Sequence, residues 1–248
     1  MNQSKTVSES LHTAVTEKLP ETPEIVEVTA SASSLSRTLL HVAWMAILLG
    51  LIVEALILIV AASFGSLIAG KPVLADLVQK VSWSVIVCIG LALARGATRL
   101  FASEVQAAAM GIAGLLTAPA AFAIARSLHE GIQEALFIKV LQGGAGSPVM
   151  LALIKGIEYG CLGVLLVWVG KQIWGKALAH AGVGLVVGVV FGAVLIVAMV
   201  WGAKSPMGLG AMLSRAINEV INPVGCSLTL YASEVLGRVQ TIRGQFDD

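Results

Sequence analysis

Formal charge is scarce in this chain. Asp, Glu, Lys and Arg make up 12% of its 248 residues, whereas ordinary soluble domains carry roughly a quarter. A water-facing fold of this length would run short of polar surface. Aromatic residues are also few, at 5%, and the net charge is only +1. Nucleic-acid binding needs clustered Lys and Arg to neutralise phosphates, and stacking platforms for single strands. Neither is present, which argues against a nucleic-acid partner.

Cysteine is limited to Cys88, Cys161 and Cys226, far apart and each inside an apolar segment. No CxxC pair or metal-type spacing exists, so these side chains read as small buried apolar groups. Enzymatic signatures are missing too. "HEGIQ" at 129–133 lacks the second histidine of a metalloprotease motif, and no GxSxG, phosphate-binding loop or dinucleotide fingerprint occurs. The reading is therefore not an enzyme, with no catalytic residues, no metal site and no identifiable cofactor.

What the chain does have is long apolar runs. In lipid every backbone N–H and C=O must be bonded internally, so only helices or closed barrels cross a membrane, and a helix needs about 20 apolar residues. The runs are continuous instead of alternating, which favours helices. The fold class is an all-α integral membrane protein with six spans. They are placed at Leu39–Leu67, Trp83–Phe101, Gln106–Ala125, Val149–Gly170, Ala177–Ala203 and Leu209–Leu236. Residues 1–37 hold three basic and five acidic side chains and few large apolar ones, and read as a disordered polar tail. The transmembrane domain covers 38–238, and 239–248 form a short C-terminal tail.

Two connectors, "PVLADLVQKVSW" and "RSLHEGIQEALFIKV", set apolar residues four apart and read as helices along the headgroup boundary. Counting Lys and Arg in the loops gives nine on the N-terminal side and five on the other. That bias places both termini in the cytoplasm and the protein in the cytoplasmic (inner) membrane.

Shifting the chain by 104 residues lays the first three spans on the last three. Glu54 then falls on Glu158, Pro119 on Pro223 and Glu130 on Glu234. Identity adds nothing, since 11 of 86 positions match and about a tenth would match by chance in so skewed a composition. If the register reflects a duplication, three spans per copy would make two inverted repeats, the plan of many transporters.

The candidate pathway residues are ionisable or polar groups inside apolar spans, where a charge costs about 2.5–3.5 kcal/mol. Glu54 has sixteen uncharged residues on each side. It is read either as a midplane acid that binds a cation or exchanges a proton, or as an acid hydrogen-bonded to another helix for packing alone. Arg95 and Arg99 share a face near the end of the second span. The plain reading is that both snorkel toward lipid phosphates; the sharper one is that Arg95, one turn deeper, meets Glu54 across the bundle, the polar stripe being the other candidate partner. Glu158 has Lys155 three residues earlier on the same face, which suits a local pair. Arg215, Asn218, Glu219, Asn222, Cys226, Thr229 and Ser233 form a polar stripe along the sixth span, facing protein or water. Pro223 frees the Glu219 carbonyl, which either reflects a simple helix kink or could bind a cation beside Asn222. Gly184, Gly188 and Gly192 form a doubled GxxxG, a ridge for close helix packing.

Two functions fit. One is a small transporter or ion-conducting protein built on the midplane carboxylate and the polar stripe. The other is a non-enzymatic subunit of a larger membrane complex, whose stripe and ridge hold a second copy or other membrane subunits. The lipid bilayer is the surrounding partner in both.

Overall fold

The computed structural model describes residues 23–64, 73–98, 101–137, 147–173, 175–202 and 208–244. These contain six helices and no strand. They are α1 (Pro23–Ser63), α2 (Val73–Ala97), α3 (Ser103–Ala135), α4 (Pro148–Gly170), α5 (Ala177–Gly202) and α6 (Leu209–Gly244). Two units are distinguished, Met1–Ser36 and Arg37–Asp248, and the helix packing described below belongs to the second. Five helices, α1 to α5, are long and apolar enough to cross a membrane. α6 is longer than most of them but carries the polar stripe, which keeps it out of that set.

The surface is inverted relative to a soluble protein. Trp44, Ile52, Ile112, Leu116, Val149 and Val189 are exposed, while Glu54, Lys155, Glu158 and Glu219 are buried. Apolar atoms outside and charges inside are what a lipid solvent selects. The chain is an all-helical membrane protein.

Several boundaries differ from the sequence reading, each for a local reason. The segment expected to be an unfolded tail is helical from Pro23 onward, because no Gly or Pro interrupts Glu24–Leu49. Residues 1–22 lie outside the described residues. The first interfacial helix is not separate, since α2 runs unbroken from Val73 into the second span. Its Asp76 in the first turn and Arg95 in the last both oppose the helix dipole favourably. Likewise α3 continues through "RSLHEGIQEA" to Ala135, with Pro119 inside it. The expected C-terminal tail is helical as far as Gly244.

Glycines set how closely the helices approach. A methyl group at Gly188 would lie 2.9 Å from the Glu219 carbonyl oxygen, one at Gly184 2.7 Å from the Pro223 oxygen, and one at Gly192 2.9 Å from Glu219 Cβ. The ridge therefore packs on α6 of the same chain. A second seam, not singled out in the sequence, joins α3 to α4. Gly114 meets the Tyr159 carbonyl, Gly163 meets that of Met110, and Gly160 faces that of Gly111. Contact of this kind maximises dispersion and Cα–H···O bonding where hydrophobic driving force is absent.

Gly188→Leu is expected to lower stability by about 1–3 kcal/mol through overpacking, read as a fall in melting temperature in detergent. Gly182→Leu, on the same helix with nothing near its Cα hydrogens, should melt like the parent. Equal melting of both variants would refute the α5–α6 seam.

Candidate functional site

Lys155 lies at the centre of the buried charge. It projects from α4 and forms an ion pair with Glu158 on its own helix at 2.7 Å, and another with Glu219 from α6. Arg215 Nε lies 2.8 Å from the other oxygen of Glu219, one turn along α6. Both carboxylates are fully buried and Lys155 is nearly so. The ammonium also sits 5.9 Å from the ring centres of Trp83 on α2 and Tyr159 on α4. Those rings meet edge to face at 5.7 Å. Three helices are thus joined by one cation, with aromatic faces supplying further attraction.

A second pair closes α1 onto α2. Lys80 Nζ lies 2.5 Å from Glu54, whose side chain is 4% exposed. Arg95 was a candidate partner, and this is corrected. Arg95 instead pairs with Glu234 near the opposite end of α6. Helix register explains the change. Lys80 lies fifteen residues before Arg95 on α2, about 22 Å at 1.5 Å per residue, so one acid cannot serve both. Near the Arg95–Glu234 pair, the rings of His180 and Tyr231 meet at a tilt of 47° with centres 4.9 Å apart.

The polar stripe of α6 faces inward, as a stripe in lipid must. Asn222 Nδ2 donates to the Asn218 carbonyl at 3.0 Å, and its Oδ1 accepts from Ser84 of α2 at 3.4 Å. Cys226, Thr229 and Ser233 continue the stripe as buried residues. One further expectation is corrected here. The Glu219 carbonyl freed by Pro223 lies against Gly188. Helix α5 covers it, so it does not face an ion path.

Between these groups lies a cavity of about 370 Å³. Its charged walls are Asp76 and Lys80 of α2, Lys155 of α4, and Arg215 and Glu219 of α6, while Trp83 and Phe122 provide apolar faces. Asp76 is 3.4 Å from His129 of α3. The lining comes from the starts of α2, α4 and α6 and the later parts of α1 and α3, so the cavity occupies one end of the bundle. With 1.5 Å of rise per residue, Asp76 stands about 5 Å into α2, Arg215 about 9 Å into α6 and Asn222 about 20 Å into α6. The cavity is thus lined by polar groups from its rim to about 20 Å along α6.

The structure brings Glu219 and Asn222 to the cavity and sets Glu54 and Glu158 directly behind it, against its lysines. Arg95 is at the other end, and Gly184, Gly188 and Gly192 serve packing. Sequence reasoning missed Asp76, Gln79 and Lys80 by assigning them to a connector. The missing signal was the absence of any Gly or Pro between Val73 and Ile89, which makes connector and span one helix. Among the described residues no cluster of His, Cys, Asp and Glu could hold a metal ion. In comparison with known proteins, the chain matches no family model, and neither a curated protein nor a solved structure is significantly similar to it.

Removing Lys155 would leave two buried carboxylates with only Arg215 between them. Lys155→Met is expected to cost about 3–5 kcal/mol, the usual loss when a buried pair is broken. Adding Glu158→Gln and Glu219→Gln should recover much of it. Thermal unfolding of the single and triple variants tests this, and parental melting of the single variant would contradict it.

Proposed function

We propose that this protein moves a small charged or polar solute, or an ion, across the membrane. The observation that carries the reading is the cavity, which holds five charged side chains inside a bundle whose outside is apolar. Charges at such depth are costly, and in membrane proteins they usually mark pathways. A network built only for packing could be dry and closed, whereas this one borders open space large enough for a solute.

Glu54 keeps its role as the deep acid, now as one half of a pair with Lys80. The Arg95–Glu234 pair lies beyond the cavity, toward the other face. An opening on one side and a closed ion pair on the other is the arrangement alternating access requires. Leaving out every Lys and Arg that lies inside a helix, Lys5, Lys18, Arg99, Lys171 and Lys176 stand against Lys71, Lys139 and Lys204, and this bias of five against three supports cytoplasmic termini and a cavity open to the opposite side. α6 acts as a sixth span whose polar face is sheltered by its neighbours. Two features favour the duplication. α2 packs along α3 as α5 packs along α6, and Glu54 and Glu158 are both buried and paired with lysine.

The alternative, an assembly subunit, relied on the stripe and the glycine ridge to hold partners. Both are occupied by contacts inside this chain, which weakens it. Size after mild detergent extraction separates the readings. A discrete particle of this chain alone favours transport, and co-purifying foreign subunits favour assembly.

Glu54→Gln is expected to insert and purify normally and to lose most flux. Proton movement is followed in dye-loaded liposomes at several pH values, in buffers of inorganic cations and of short carboxylates. Undiminished flux with unchanged pH dependence would make Glu54 a packing residue.

A further inference from the structure

The carboxylates and the cations of the cavity differ in how far they are reachable. Glu54, Glu158 and Glu219 are 4%, 0% and 0% exposed at the side chain, whereas Lys80 is 15% and Arg215 32% exposed. The acids stand behind and hold the bases in place, and the bases form the wall. Lys155 is fully engaged, between two carboxylates and two rings. Lys80 and Arg215 are not. Lys80 has three N–H donors and, among the described residues, one ion-pair partner, Glu54. Arg215 reaches Glu219 through Nε, and no group among the described residues takes its Nη1 or Nη2.

The neutral lining can serve a ligand of either sign. Gln79 and Ser214 border the cavity, and neither side chain has a hydrogen-bond partner among the described residues. The amides of Asn218 and Asn222, in contrast, are engaged with one another, Asn222 donating to the Oδ1 of Asn218 at 3.3 Å. Gln79 and Ser214 can each donate or accept, so the donor-only groups with N–H to spare are Lys80 and Arg215. The accessible acceptor of full charge is Asp76, which already faces His129. A donor-rich wall is complementary to an acceptor-rich ligand, and guanidinium groups with free Nη pairs suit the two oxygens of a carboxylate. The lining also includes Ile57, Trp83 and Phe122, which suit an apolar body.

We propose that the cavity binds a small organic anion, its anionic head against Arg215 and Lys80 and its short apolar body against Trp83 and Phe122. The volume, about 370 Å³, falls at the lower end of small-molecule pockets, about 300–1,000 Å³. The proposal deepens the transport reading by naming the chemistry of the solute, and it rests on that reading only for the passage across the membrane.

Trp83 supplies the test. In phosphatidylcholine nanodiscs, Trp44, Trp168, Trp174 and Trp201 are replaced by Phe, so that Trp83 is the remaining tryptophan. Its fluorescence is quenched with iodide, caesium or acrylamide, in the presence of butyrate or butylammonium. Iodide is expected to quench better than caesium, and butyrate, not butylammonium, to suppress iodide quenching saturably. Arg215→Gln should lose both effects and keep quenching by neutral acrylamide. If that variant also loses acrylamide quenching, the cavity has collapsed and Lys80→Gln, expected to behave in the same way, decides. Stronger quenching by caesium, protection by butylammonium, protection by neither, or butyrate protection that survives in the deciding variant would overturn the proposal. Butyrate protection without liposome flux leaves the anion site standing and removes the transport reading. Flux without protection does the reverse.

Discussion

The structure depends on how charge is kept stable in a medium that cannot solvate it. A charge moved from water to hydrocarbon must find a counter-charge, an aromatic face or trapped water. Lys155 finds two carboxylates and two rings, contributed by α2, α4 and α6. Because each partner is useful only in that position, the cluster specifies relative helix placement more strictly than apolar contact could. Lipid tails are as apolar as leucine, so burying leucine against leucine gives little preference for one packing over another.

Glycine supplies the other constraint. The α3–α4 and α5–α6 seams bring backbones close together, which fixes those two pairs as tight units. The cavity is left between the units, where α1, α2, α3, α4 and α6 approach it with side chains of mixed size. Close packing in the seams and incomplete packing between them are complementary.

Much of this was legible in the sequence. Apolar runs gave the helices, the stripe on α6 gave an inward polar face, and the spacing of Gly184, Gly188 and Gly192 gave a packing ridge. The local Lys155–Glu158 pair followed from a three-residue spacing. Long-range pairing was not legible. Glu54 could equally have met Arg95 or the stripe, because one sequence does not show how two helices are rotated against each other. Lys80 was misplaced for a different reason. Its charged, amphipathic neighbourhood resembles a headgroup-level helix, and only the buried acid opposite it makes that position tolerable inside the bundle. The α3–α4 seam escaped because its glycines follow mixed spacings of three and four instead of one repeated interval.

The central claim is that a charged cavity open to water penetrates a bundle whose exterior faces lipid. It is tested most directly by thiol accessibility in a version without native cysteines. Single cysteines are placed at Ser214 and Asn218 on the cavity wall, and at Ile112 and Val189 on the exposed apolar surface. A charged, membrane-impermeant thiol reagent is then applied to the protein in sealed membranes. The account predicts rapid modification of Ser214→Cys and Asn218→Cys from one side, and none at Ile112→Cys or Val189→Cys. Cavity-wall cysteines as inert as the lipid-facing ones would contradict it.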